Sequence, residues 1–217
     1  MQSFFDIIKS HIDTVWEETM IKTIIFDIGK VLMDYDFDAF IQKLYPDREI
    51  AESVTAALFG DGRWDEVDRG VLSDCELRAS FVNAAPQWEK EILYTYEHIG
   101  DGFAPMPYAK DWICELKEQG FQVLYLSNYS THAMASNWKV LDFLPLMDGG
   151  VFSCDAKLLK PDQAIYEWIC RKYDLVPSEC VFFDDKKENV DAAAAYGMHA
   201  IQFTDYEQAK RSLEEFL

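Results

Sequence analysis

Four short stretches carry side chains that could do chemistry: Asp27 after the apolar run Thr23 to Phe26, Ser127-Asn128 after Leu126, Lys160-Pro161, and Asp184-Asp185 after Val181-Phe182-Phe183. Taken singly, most of them have an ordinary explanation. Asp27 fits a turn or a helix cap, Ser127-Asn128 fits a turn, and a lysine before proline is usually a solvated surface residue. Asp184-Asp185 is harder to dismiss, because two adjacent acids directly after an apolar run are costly to bury without a partner. Three acids around one crevice would resist ionisation unless a cation compensated them. Hard oxygen ligands with an open coordination shell suit magnesium.

Such groups meet only if the chain places them along one rim. The runs Lys22 to Phe26, Phe121 to Leu126, Cys180 to Phe183 and His199 to Phe203 are short, apolar and rich in Ile, Val and Phe, which predicts buried strands. Helical patterns over Thr131 to Val140, Asp162 to Tyr173 and Glu188 to Tyr196 alternate with them, the last stopped by Gly197. Strand-helix alternation with short links predicts an α/β fold, a Rossmann-like three-layer core whose parallel sheet is covered by helices on both faces. In open parallel sheets the ligand crevice lies beyond the carboxyl ends of the strands. Asp27, Ser127-Asn128 and Asp184-Asp185 each stand at such an end, and Lys160-Pro161 stands just before a helix.

About ninety residues between the first two strands show no strand-like run. They read as helices over Phe37 to Leu44, Ile50 to Leu58, Trp64 to Arg69, Ser73 to Asn83 and Gln87 to His98, with a capping box at Ser73-Asp74-Cys75-Glu76. Pro105 and Pro107 punctuate the return. The expected division is therefore a core of residues 20–34 and 104–217, an inserted all-helical segment at 35–103, and a helical extension at 1–19 with Phe4, Phe5, Ile8, Ile12, Val15 and Trp16 on one face.

Composition narrows the partners. In a chain of 217 residues, 39 acids against 20 bases give a net charge of −19, a field that repels nucleic acid and anionic lipid. A small phosphorylated ligand would need a local positive feature to enter. Cys75, Cys114, Cys154, Cys170 and Cys180 form no C-x-x-C pair and read as reduced core residues. No stretch approaches the about 18 apolar residues of a membrane span, and no basic region followed by an apolar block opens the chain. A cytoplasmic protein, monomer or homodimer, is expected.

In order and position the four stretches, Phe26-Asp27-Ile28-Gly29-Lys30-Val31-Leu32, Leu126-Ser127-Asn128, Lys160-Pro161 and Phe183-Asp184-Asp185 with Asn189 following, resemble the four motifs of the haloacid dehalogenase superfamily, mostly phosphohydrolases. The likeness spans about residues 22 to 203, and the opening is similar to that of bacterial sugar-phosphate phosphatases. It implies a helical cap at the insertion and Asp27 as nucleophile. It further implies magnesium held by Asp27, the Gly29 carbonyl, Asp184 and Asp185, a phosphoryl group oriented by Ser127 and Asn128, and Lys160 balancing charge. One position departs from the pattern: the family's phosphatases carry a second aspartate, the general acid, where this chain has Gly29. Asp34 or Asp36 could reach back to replace it, or the substrate could have a less basic leaving oxygen, as in a sugar 1-phosphate or an aryl phosphate. The resemblance leaves two alternatives, a metal-free dehalogenase, whose family members also lack the second acid, and a noncatalytic phosphate or sugar-phosphate binder.

Overall fold

The computed structural model describes residues 20–217, and the helix expected within residues 1–19 lies outside them. The first half holds β1 (Thr23–Phe26), β2 (Met33–Tyr35), α1 (Phe37–Leu44), α2 (Arg48–Phe59), α3 (Arg63–Arg69), α4 (Asp74–Ala84), α5 (Glu89–Glu97) and β3 (Phe103–Pro105). The second holds α6 (Ala109–Glu118), β4 (Gln122–Ser127), α7 (Thr131–Ser136), β5 (Gly149–Phe152), α8 (Ser153–Ala156), α9 (Gln163–Tyr173), β6 (Cys180–Asp184), α10 (Lys187–Tyr196), β7 (His199–Gln202) and α11 (Tyr206–Glu214).

Five strands pair in parallel in the order β5-β4-β1-β6-β7, which makes β1 the middle strand. A strand covered on both faces favours apolar side chains, and all four residues of β1 are buried, the one polar side chain, Thr23, donating to Gln122 Oε1 at 3.0 Å. Alternate residues feed opposite layers. Phe26 packs on one face with Trp112 of α6, Phe183 and Leu213 of α11. Ile25 packs on the other with Tyr166 and Ile169 of α9 and Ala193 of α10. The result is a three-layer α/β core of Rossmann type.

Of the five cysteines expected in the core, Cys75 and Cys114 are exposed, and three local expectations about the elements needed revision. The ninety residues thought free of strand are bracketed by β2 and β3, which pair antiparallel as Met33 with Pro105 and Tyr35 with Phe103. At three residues each they are too short to show a period. The β5 strand, Gly149-Gly150-Val151-Phe152, was not anticipated because two of its four residues are glycines. The helix expected over Thr131 to Val140 stops at Ser136: Asn137 turns extended (φ −154°), donates its amide to the Gly100 carbonyl at 2.8 Å, and a 3-10 turn follows. There a tertiary hydrogen bond outweighs local helix preference.

Between β2 and β3 the chain is helical and has a core of its own, with Ile41, Val54, Leu58, Phe81, Ile92 and Tyr96 buried together. Three of its five helices, α1, α2 and α4, start on side-chain caps. Asp36 accepts from Ala39 N (2.9 Å), and Ser73 and Glu76 close a reciprocal box. Helix α3 seats directly on α8: Ser153 Oγ donates to the Asp68 carbonyl at 2.6 Å and Lys157 Nζ donates to the Gly70 carbonyl. Gly70 is required twice over, by its φ of 64° and because a Cβ there would stand 2.9 Å from Cys154 Cβ. No helix among the described residues is long and apolar enough to cross a membrane.

Candidate active site

Parallel register delivers the acids to one place. Phe26 aligns with Phe183 on one side and Tyr125 on the other, and Asp27 N continues the ladder to the Phe183 carbonyl at 2.8 Å. Asp27, Asp184 and Ser127 therefore emerge from three adjacent strand ends. One carboxylate oxygen from each of Asp27, Asp184 and Asp185 lies within 4.8 Å of the others. Such a set of hard oxygens fits a small divalent cation, and magnesium suits it by charge and donor type. The Gly29 carbonyl accepts no backbone hydrogen bond among the described residues and is open to the same use.

Lys160 is the cation the chain itself supplies. Its side chain is 1% exposed, and Nζ lies 2.9 Å from Asp27 Oδ1 and 2.6 Å from Asp184 Oδ2. Burial works against its charge, but Asp184 and Asp27 outweigh that and hold its pKa above the usual lysine value. The backbone of Lys160 is pinned by Asn128, whose Oδ1 accepts from Lys160 N (2.8 Å) and whose Nδ2 donates to Lys160 O (3.0 Å). Asn128, expected to orient a phosphoryl group, thus spends much of its amide on positioning Lys160. Ser127 is buried on the same wall.

Asp184 is fully buried and fully satisfied, accepting from Lys160 Nζ, Lys186 N (2.9 Å) and Asn189 Nδ2 (2.9 and 3.0 Å). Asn189 follows Asp184 by five residues, on α10, where its amide can reach back to the strand end. Asp27 differs. Its Oδ1 accepts from Ile28 N at 2.7 Å and pairs with Lys160, and the Ser127 hydroxyl lies beside the same carboxylate. Burial pushes the Asp27 carboxyl up to about 6 despite Lys160, and burial also raises Asp185.

These groups floor a cavity of about 260 Å³ whose other walls combine the aromatic rings of Tyr35, Phe37, Phe59, Trp64, Phe103 and Tyr129 with the charged Asp65, Asp68 and Lys186. Of the polar and aromatic side chains of α3, Trp64, Asp65 and Asp68 reach this cavity, whereas Arg63 turns away to the Ala56 and Ala57 carbonyls (2.6 and 2.8 Å) and Arg69 pairs with Glu66 at 3.4 Å. Asp34 and Asp36, the two candidates for the absent acid, do not line it. Asp34 pairs with Lys30 Nζ (2.8 Å) and Asp36 caps α1. The residue between them does: Tyr35, which sequence reasoning passed over, has its ring against Gly29.

Asp68 keeps part of its surface exposed, yet the protein packed around it, and Asp65 beside it, push its carboxyl up to about 8. An acid whose pKa is higher folded than unfolded binds more protons in the folded state, so stability falls as pH rises from about 4 to about 8. Asp68→Asn removes that burden. In melts run with chelator, the variant should gain on the wild type at pH 9, and the gain should shrink toward zero near pH 4. An equal difference at both pH values would show that Asp68 is not titrating in this window.

A family model described as haloacid dehalogenase-like hydrolase matches residues 21–197. A sesquiterpene phosphatase of Aspergillus oryzae is 27% identical over 196 residues, covering 86% of this chain and 92% of that protein. A D-ribitol-5-phosphate phosphatase of Bacteroides thetaiotaomicron is 27% identical over 200 residues, covering 84% and 92%. Among solved structures, an HAD family enzyme of Bacteroides thetaiotaomicron in complex with magnesium and inorganic phosphate superposes with a TM-score of 0.66 at 20% identity, over 87% of this chain and 98% of that one.

Proposed function

The chain belongs to the haloacid dehalogenase-like hydrolase family, and from that premise we propose that it is a magnesium-dependent phosphatase of small phosphate monoesters, acting through an aspartyl-phosphate on Asp27. The observation that carries this reading is the meeting of Asp27, Asp184 and Asp185 around a buried lysine. The core of residues 20–34 and 104–217 would hold the chemistry, with residues 35–103 as a cap over it. Magnesium on Asp27, Asp185, Asp184 and the Gly29 carbonyl would supply positive charge that lets two anions approach. Asp27 Oδ2 would attack phosphorus, because Oδ1 is tied to Ile28 N and Lys160. Ser127 and the remaining Asn128 N–H donate to phosphoryl oxygens, and Lys160 offsets the charge gathered on Asp27. Water then opens the acyl phosphate.

The organic part of the ester would rest against Phe37, Phe59, Trp64 and Phe103, which offer ring faces and a single donor, the Trp64 indole N–H. That wall favours apolar or ring-bearing alcohols over open-chain polyols, a preference that moves the substrate class away from an ordinary sugar phosphate. A metal-free dehalogenase has little reason to collect three acids. The test is phosphate release by purified protein from a panel of aryl, isoprenoid and sugar phosphates. Release is expected with magnesium, is expected to stop on chelation and return on adding the metal, and should be fastest for the apolar esters. No release from any ester, or release indifferent to chelator, would remove the proposal.

A further inference from the structure

The acid absent at position 29 leaves a gap in the chemistry, and the gap in space is filled. A Cβ built on Gly29 would stand 3.1 Å from Tyr35 Cε1 and 3.8 Å from the Tyr35 hydroxyl oxygen. A longer side chain at position 29 therefore has no room unless Tyr35 moves, and the phenol oxygen occupies the neighbourhood a carboxyl at 29 would have reached. The ring is held there. It stacks on Phe37 (4.8 Å between centroids), meets Phe103 edge-on (6.2 Å), and has Lys30 Nζ 4.8 Å from its centroid. Lys30 Nζ also donates to the Tyr35 carbonyl, and Asp34 accepts from Tyr35 N at 2.8 Å. By contrast the Tyr35 hydroxyl has no hydrogen-bond partner among the described residues, although its side chain lines the cavity that contains Asp27.

We propose that the Tyr35 hydroxyl replaces the missing carboxyl and donates a proton to the leaving oxygen as the phosphate ester breaks, an inference that rests on the phosphatase reading. The step balances. Asp27 Oδ forms a bond to phosphorus, the bond from phosphorus to the ester oxygen breaks with its electron pair going to that oxygen, and the Tyr35 proton moves onto it, releasing the alcohol. The phenolate regains a proton from the water that hydrolyses the acyl phosphate, which leaves as inorganic phosphate. A phenol is protonated at neutral pH and so has the proton to give. An aliphatic alkoxide is more basic than a phenolate, so the transfer is favourable for alkyl esters. A nitrophenolate is less basic and leaves without help.

The difference between those leaving groups is the experiment. With magnesium, the kcat of Tyr35→Phe on n-octyl phosphate should fall by about 10²-fold or more, the worth of a general acid, while its kcat on p-nitrophenyl phosphate stays within about threefold of wild type on the same principle. In a second arm, Tyr35→Ala removes ring and hydroxyl, and Gly29→Asp added to it should restore much of the n-octyl phosphate turnover. Equal losses on both esters, a failure of Gly29→Asp to rescue, or a leaving-group-selective loss in Asp68→Asn with Tyr35→Phe unaffected would overturn the assignment. A wild-type protein inactive on both esters would remove the phosphatase reading and this inference together, whereas an active wild type with an equally active Tyr35→Phe removes this inference alone.

Discussion

Asp27→Asn is expected to lower phosphate release by about 10⁵-fold or more, since removing the nucleophile of a covalent mechanism costs rates of that order. Asparagine keeps the shape and still accepts from Ile28 N, but its amide does not attack phosphorus. The same substitution should leave the protein no less stable in chelator. Burial lifts the Asp27 carboxyl from 3.8 to about 6, so its ionisation costs folding free energy that is absent at low pH and fully present above about pH 6. A neutral amide escapes that cost, and Lys160 keeps Asp184 as its partner. The decisive pair of measurements is phosphate release with magnesium and the thermal midpoint without it. Turnover within tenfold of wild type would mean that another group attacks.

Lys160→Met should do the reverse, damaging the fold as much as the chemistry. The lysine stands between two carboxylates in a place closed to solvent, and removing one member of a buried ion pair costs about 3–5 kcal/mol because the charge left behind has neither water nor partner. For a chain of this size that is a fall of roughly 6–20 °C in thermal midpoint. The fall should be smaller at pH 5 than at pH 8, because protons can neutralise the stranded acids. Magnesium should return part of the loss, since a divalent ion compensates the same carboxylates and binds the folded state alone. A variant that melts with wild type at pH 8 in chelator would show that Lys160 does not carry this electrostatic role.

How much of this was readable beforehand follows from what each element needed. Thr23 to Phe26 and Cys180 to Phe183 announced themselves because central parallel strands favour apolar side chains, and the acids after them stood out for the same reason. Their convergence required only that the strands be neighbours, as the register makes them. The pairing of Asn128 with the Lys160 backbone was hidden, because 32 residues separate them and both positions read as turns. That Trp64 and Asp68 meet the cavity was hidden too, since a mixed helix gives no sign of which face meets a neighbour. Tyr35 sat between two acids and looked like part of a solvated link. The clue was Gly29 itself, as a glycine where a functional side chain is expected asks what has taken its volume.

The paired strands β2 and β3 are where the chain departs for its helical excursion and where it comes home, so both threads pass through a single two-stranded ribbon. Any swing of the excursion is anchored at that ribbon, and Tyr35 is its outbound end. A substitution that loosened the pairing of Met33 with Pro105 or of Tyr35 with Phe103 would therefore disturb the helical excursion and the phenol beside Gly29 together.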